Sequence, residues 1–213
     1  MIEIADQLLV LVLLINLVLL GTSRLAFAIR AVAVQGVILG IIPWLLHPFS
    51  VHLALITICI VLVKGGLIPY FISNAVKKAR IRREMEPFLG YLPSLMAGAI
   101  FTALAFLFAE QLPLAAEHRD LIVVPASIAT IASGFLLITT RKKAISQVLG
   151  YLVLENGIFI FGLLLGEVMP FMIETGALLD LLVGIFVMGI VINHISREFS
   201  SIDTSRLQAL REE

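Results

Sequence analysis

Long unbroken apolar runs, separated by short polar breaks, set the pattern of this chain. Seven runs stand out, at about 5–22, 27–46, 51–74, 88–109, 121–139, 144–165 and 170–195. Most approach the ~20 residues that an α-helix needs to cross ~30 Å of hydrocarbon. Backbone N–H and C=O groups find no water inside lipid, so each run is expected as a helix that closes its own hydrogen bonds. The pattern predicts an all-α, polytopic membrane protein with about seven transmembrane helices. Residues 1–213 form one integral-membrane domain, and 196–213 is its polar tail.

Local signals mark some helix ends. Ser50 suits an N-cap for the third run, and Pro87 and Pro170 suit the first turns of the fourth and seventh. Gly65, Gly66 and Pro69 predict a bend in the third run. The first run follows Glu3 and Asp6 without a basic segment, and no Ala-x-Ala-like site follows it. It reads as a retained helix and not as a signal peptide.

Charge sets the expected orientation. With seven helices, 13 of the 15 basic residues fall on one side: Arg24 and Arg30, Lys77 to Arg83, Arg141 to Lys143, and Arg197, Arg206 and Arg211. Arg119 alone lies on the other side, and Lys64 lies within the membrane. Basic residues gather on the cytoplasmic face, so the N-terminus is expected outside and the C-terminus in the cytoplasm. The same clusters can also dock a soluble partner.

Composition narrows the chemistry. The chain is 60% hydrophobic and 14% charged, with a mean hydropathy of +1.08. Net charge is zero and no basic tract is long, so no nucleic-acid partner is expected. The single cysteine, Cys59, excludes a disulfide within the chain and reads as a small packing residue. His47, His52 and His118 lack ligand spacing, so no metal site is expected. No catalytic grouping and no phosphate loop appear.

What remains is a set of ionisable residues inside apolar runs. Glu155 sits about halfway along 144–165, where a carboxylate costs about 2.5–3.5 kcal/mol on insertion scales. Asp180 repeats the anomaly in 170–195, and Lys64 does so in 51–74. Gln147, Tyr151 and Glu155 share one helix face by i, i+4, i+8 spacing. Gly176, Asp180, Gly184 and Met188 form a second row that admits a close neighbour. Gln35 lies at mid-depth, and His194 sits on nearly the same side as Asp180 at the cytoplasmic end. Each residue has two readings. Glu155, Asp180 and Lys64 either carry charge or bind helices together, with Gln35, Tyr151, Gln147 and His194 as relay groups or as interhelical and interfacial residues. Ser127, Thr130 and Ser133 are expected to bond back to their own helix.

The string Gln147 to Gly157, with Asp180 farther on and the tail from Ser201 to Leu210, resembles the component E membrane subunit of hydrogenase-4 and formate hydrogenlyase-type complexes. Val63-Lys64 with Leu67-Ile68-Pro69 resembles that family's lysine-containing third helix. The last three runs also resemble the small membrane subunit K of complex I, with Glu155 at its mid-membrane glutamate and Asp180 where that subunit carries a second Glu. The resemblance implies a non-catalytic membrane subunit of an energy-converting hydrogenase or related complex I-like assembly. Its place would be the prokaryotic cytoplasmic (inner) membrane, beside antiporter-like membrane subunits. It implies no cofactor in this chain, with the nickel–iron centre and iron–sulfur clusters in partner subunits. Glu155, Asp180 and Lys64 would belong to a lateral row of charges that couples redox chemistry to proton or sodium translocation. A structural scaffold and a free-standing small transporter are the alternatives.

Topology is directly testable. A reporter fused to the C-terminus is expected to read cytoplasmic and one at the N-terminus outside. Both ends on one side would break the seven-helix assignment.

Overall fold

The computed structural model describes residues 2–46, 51–78, 85, 87–112, 122–163, 183 and 189. The first helix, α1, spans Ile2–Gly21, and α2 spans Leu25–Leu46. Next come α3, Val51–Leu62, one π-helical turn at Val63–Leu67, and α4, Ile68–Lys78, which follow one another without a break. Then follow α5 (Tyr91–Ala109), α6 (Val123–Thr140) and α7 (Ala144–Gly162). Six helical stretches are long and apolar enough to cross a membrane, and they match the first six runs of the sequence. The described residues contain no strand, and Pro87 and Arg141 form an isolated antiparallel bridge. The expected seventh helix and the 196–213 tail lie outside the described residues, apart from Val183 and Gly189, which are helical. Ser50 and Pro170 also lie outside them.

Two sequence expectations change here. Pro87 does not begin a helix, because α5 starts at Tyr91. Gly90 stands just before it with φ +80°, a conformation that glycine adopts without a Cβ clash. Pro93 takes the first-turn position instead, where its missing N–H leaves no bond unmade. Cys59 is exposed on α3 and is not packed inside. An apolar thiol on a lipid-length helix needs no covering, since hydrocarbon solvates it.

The Gly-Gly-Pro signal in the third run marks the π turn. The Ile68 N–H bonds to the Val63 carbonyl, five residues back. Pro69, with no N–H to give, follows at once. The π turn thus lies directly before the proline, and it carries Lys64 on its first half.

Both ends of the bundle are tied by polar contacts. At one end the Asp6 carboxylate accepts from the Ile122 N–H at 3.2 Å, placing an anion at the start of α6. At the other end Met85 N–H donates to Ser23 O and Phe88 N–H to Thr140 O, each at 2.7 Å. Arg141 closes this end. Its Nη2 donates to the Leu20 carbonyl at 2.5 Å, one of the last α1 carbonyls without an intrahelical partner. Its guanidinium lies 5.4 Å from the Tyr91 ring centroid. Arg141 is fully buried. Burial pushes its guanidinium below the usual value, partly opposed by Tyr91.

Packing divides the interior into two apolar halves. One lies toward Arg141, with Leu19, Leu20, Leu25, Ile72, Ile145 and Leu149. The other lies toward Asp6, with Leu9, Val12, Leu39, Ile42, Val123 and Ile160. Between them run Asn16, Gln35, Thr130, Glu155 and Asn156, all buried.

Helices α6 and α7 approach closely, and glycine makes this possible. A Cβ on Gly134 would lie 2.6 Å from the Leu154 Cα, and one on Gly157 would lie 2.6 Å from the Ile131 backbone nitrogen. Backbone atoms cannot swing aside as a side-chain tip does. Gly134→Ala is expected to force the helices apart and destabilise the protein by about 1–3 kcal/mol, the usual range for overpacking. Gly66→Ala, where a new Cβ meets nothing within 4 Å, is the control and should leave stability nearly unchanged. Thermal unfolding of the two purified variants checks this, and equal midpoints would refute the packing argument.

Candidate functional site

The site is built where the π turn, α2 and α7 meet. Lys64 projects from the π turn toward α7. Gly36 on α2 lets the turn come close, since a Cβ there would lie 2.7 Å from the Lys64 Cβ. Gly134 and Gly157 press α7 onto α6, while Glu155 and Asn156 reach the Lys64 side.

Lys64 Nζ lies 2.5 Å from Glu155 Oε1, and the two side chains are 10% and 5% exposed. The same Nζ donates to Asn156 Oδ1 at 3.1 Å. The Phe159 ring centroid lies 5.9 Å from it, near enough for a cation–π contribution. The ammonium thus has two oxygen acceptors and one aromatic face. Glu155 is asymmetric. Its Oε1 is held by Lys64, while Oε2 is buried and has no hydrogen-bond partner among the described residues. Charges this deep persist only when paired, because desolvation of a lone ion exceeds what the fold can offset.

Behind Asn156 a row of amides crosses the bundle. Asn156 Nδ2 donates to Gln35 Oε1 at 3.4 Å. Gln35 Nε2 donates to Asn16 Oδ1 at 2.9 Å. Asn16 Nδ2 donates to Thr130 Oγ1 at 2.9 Å, and the Thr130 hydroxyl donates to the Ala126 carbonyl at 2.7 Å. Five elements therefore meet in one polar layer: α6, α1, α2, α7 and the π turn.

The sequence-predicted residues divide clearly. Lys64 and Glu155 touch, and Gln35 stands one link behind them through Asn156. Gln147 does not join the layer. Its Nε2 donates to the Arg141 carbonyl at 3.0 Å, two turns from Glu155 on the same face. Tyr151 is half-buried against the apolar half that faces Arg141. Asp180 and His194 lie outside the described residues. Ser127, Thr130 and Ser133 do bond back to their own helix, at 2.7–2.8 Å, and Thr130 in addition accepts from Asn16. Asn16 and the part played by Asn156 were missed. The available signal was an amide in the middle of an apolar run, as in Leu13-Leu-Ile-Asn16-Leu-Val. Among the described residues no group of three His, Cys, Asp or Glu side chains could hold a metal.

Comparison with known proteins gives two levels of likeness. The chain is 31% identical over 187 residues to the uncharacterized protein Rv0085 of Mycobacterium tuberculosis, covering 86% of this chain and 85% of that protein. It is 24% identical over 152 residues to hydrogenase-4 component E of Escherichia coli K12, covering 70% of this chain and 69% of that protein. Hydrogenase-4 component E of Shigella flexneri gives the same figures. No family model and no solved structure matches.

The pair predicts a thermodynamic cycle. Lys64→Met strands Glu155 and is expected to destabilise the protein by about 3–5 kcal/mol, as when one partner of a buried ion pair is removed. The double variant Lys64→Met with Glu155→Gln should lose less than Lys64→Met alone, because no uncompensated charge remains. Thermal unfolding in detergent for the wild type, both single variants and the double variant measures the coupling. Strictly additive losses would show that the two residues are not energetically joined.

Proposed function

The chain belongs to the family of the uncharacterized protein Rv0085 of Mycobacterium tuberculosis, and from that premise we propose that it is a membrane subunit of an energy-converting hydrogenase or related complex I-like assembly. Similarity to hydrogenase-4 component E supports the assembly type. The Lys64–Glu155 pair supports the role: it helps couple redox chemistry in a soluble module to proton or sodium movement. The expected setting is the prokaryotic inner membrane with the N-terminus outside. Antiporter-like subunits lie alongside, and the nickel–iron centre and clusters are carried by other subunits.

One observation carries the reading. Glu155 keeps one oxygen on Lys64 and leaves the other buried and uncommitted among the described residues. The free oxygen is where a proton can be added or removed. When Oε2 gains a proton, the carboxyl becomes neutral and Lys64 is left as the excess charge. When it loses one, the pair is neutral overall again. A proton taken up at Oε2 thus leaves one net positive charge at the pair, on an ammonium still supported by the Asn156 oxygen and the Phe159 ring, and its departure restores the neutral pair. Asp180 is the proposed next group in the row.

Glu155→Gln tests this, because it keeps the shape and the hydrogen bond to Lys64 but cannot exchange a proton. Redox-driven ion uptake into vesicles is expected to fall to near background while subunit stoichiometry holds. Glu155→Asp should be intermediate. Full uptake with Gln would leave the residue as interhelical glue, a bond type averaging only ~0.6 kcal/mol in one measured membrane protein, and the chain as a scaffold.

A further inference from the structure

The amide row behind Lys64 has a fixed direction, and each step of it follows from donor and acceptor chemistry. An ammonium only donates, so Asn156 must turn its oxygen to Lys64. Its NH₂ then faces Gln35, which must present its own oxygen. The Gln35 NH₂ is left for Asn16, which again presents oxygen. The Asn16 NH₂ meets the Thr130 oxygen. Thr130 is free to accept because its hydroxyl hydrogen is already given to Ala126. All three amides therefore point their oxygens toward Lys64. Asn16, Gln35 and Asn156 are 1%, 0% and 2% exposed, so water does not compete for their positions.

We propose that Gln35 and Asn16 are positioning residues for the Lys64–Glu155 pair: acting through Asn156 and anchored on Thr130, they hold a carboxamide oxygen against the ammonium and so fix which way Lys64 points. Neither residue touches Lys64 or Glu155 among the contacts described above. This goes beyond binding helices together. Glue needs only that each amide find some partner, whereas positioning needs an acceptor at residue 35 facing Asn156. The inference deepens the coupling role proposed above, yet its central readout does not depend on it.

The test reads Lys64 directly. The chain has five lysines, at 64, 77, 78, 142 and 143. In full-length protein labelled with ¹⁵N at the lysine side chains and reconstituted in lipid bilayers, the ammonium signal lost in Lys64→Met belongs to Lys64. Gln35→Met removes the acceptor behind Asn156 and is expected to shift that signal. Gln35→Glu, neutral when burial keeps it protonated, offers a carbonyl oxygen to Asn156 and an O–H to Asn16, and should leave the signal near that of the wild type. In the assembled complex, Gln35→Met should lower redox-driven ion uptake roughly three- to twentyfold, the average and the maximum for interhelical hydrogen bonds in one measured membrane protein, and Gln35→Glu should restore most of it. If Gln35→Met does not fold, Gln35→Asn, one methylene shorter and unable to reach both partners, is judged on the same signal. An unmoved Lys64 signal in Gln35→Met or Gln35→Asn overturns the proposal. So does a Gln35→Glu signal as displaced as that of Gln35→Met. Normal uptake by Glu155→Gln would overturn the coupling role alone, and the lysine signal would still decide the fate of the ladder.

Discussion

Burying one ammonium beside one carboxylate in a low-dielectric interior constrains most of this architecture. The pair survives there only if the two groups stay within contact distance and their remaining hydrogen-bonding capacity is met. That requirement explains the neighbouring features as a set. The π turn places Lys64 at the face of α2, Gly36 lets that turn approach, and Gly134 and Gly157 set α7 at a fixed distance from α6. Asn156 supplies a second oxygen to the ammonium. A shift of an ångström in any of these supports would expose a charge that has no water to fall back on.

The apolar halves on either side serve the same end. They are closed by different means at the two faces of the bundle, a carboxylate at the start of α6 and a buried guanidinium at the end of α1. Along α5, by contrast, the buried positions are small: Ser94, Gly98 and Ala105. Its large side chains, such as Leu92, Ile100 and Leu107, point outward. That helix meets the bundle along a narrow stripe, as membrane helices do when small residues allow close backbone approach.

The sequence made the spans legible because lipid leaves so little choice. A run of ~20 apolar residues has one viable backbone form in hydrocarbon, and six expected helices coincide with observed ones. Lys64 and Glu155 were also legible, each as an ionisable group out of place. Their pairing was not. They are 91 residues apart in the chain, and no spacing rule joins positions on separate helices. Gln147 shows the opposite error, since shared periodicity with Glu155 put it on the right face but said nothing about depth. Asn16 was overlooked because a neutral amide in an apolar run is a weaker anomaly than a charge. The α5 start was misplaced because proline at 87 looks like a helix opening, while the decisive residue was Gly90, whose backbone turns the chain into position.

The polar layer also bears on how such a chain can be made. Synthesis runs from the N-terminus, so Asn16, Gln35 and Lys64 reach the bilayer long before Asn156 and Glu155 exist. Until the last described helix arrives, Lys64 has no counter-charge and Gln35 lacks one of its two partners. The arrival of α7 supplies the carboxylate and the final amide together. Arrival of the last described helix thus coincides with neutralisation of Lys64, and a chain truncated before α7 would lack the carboxylate that pairs with that cation.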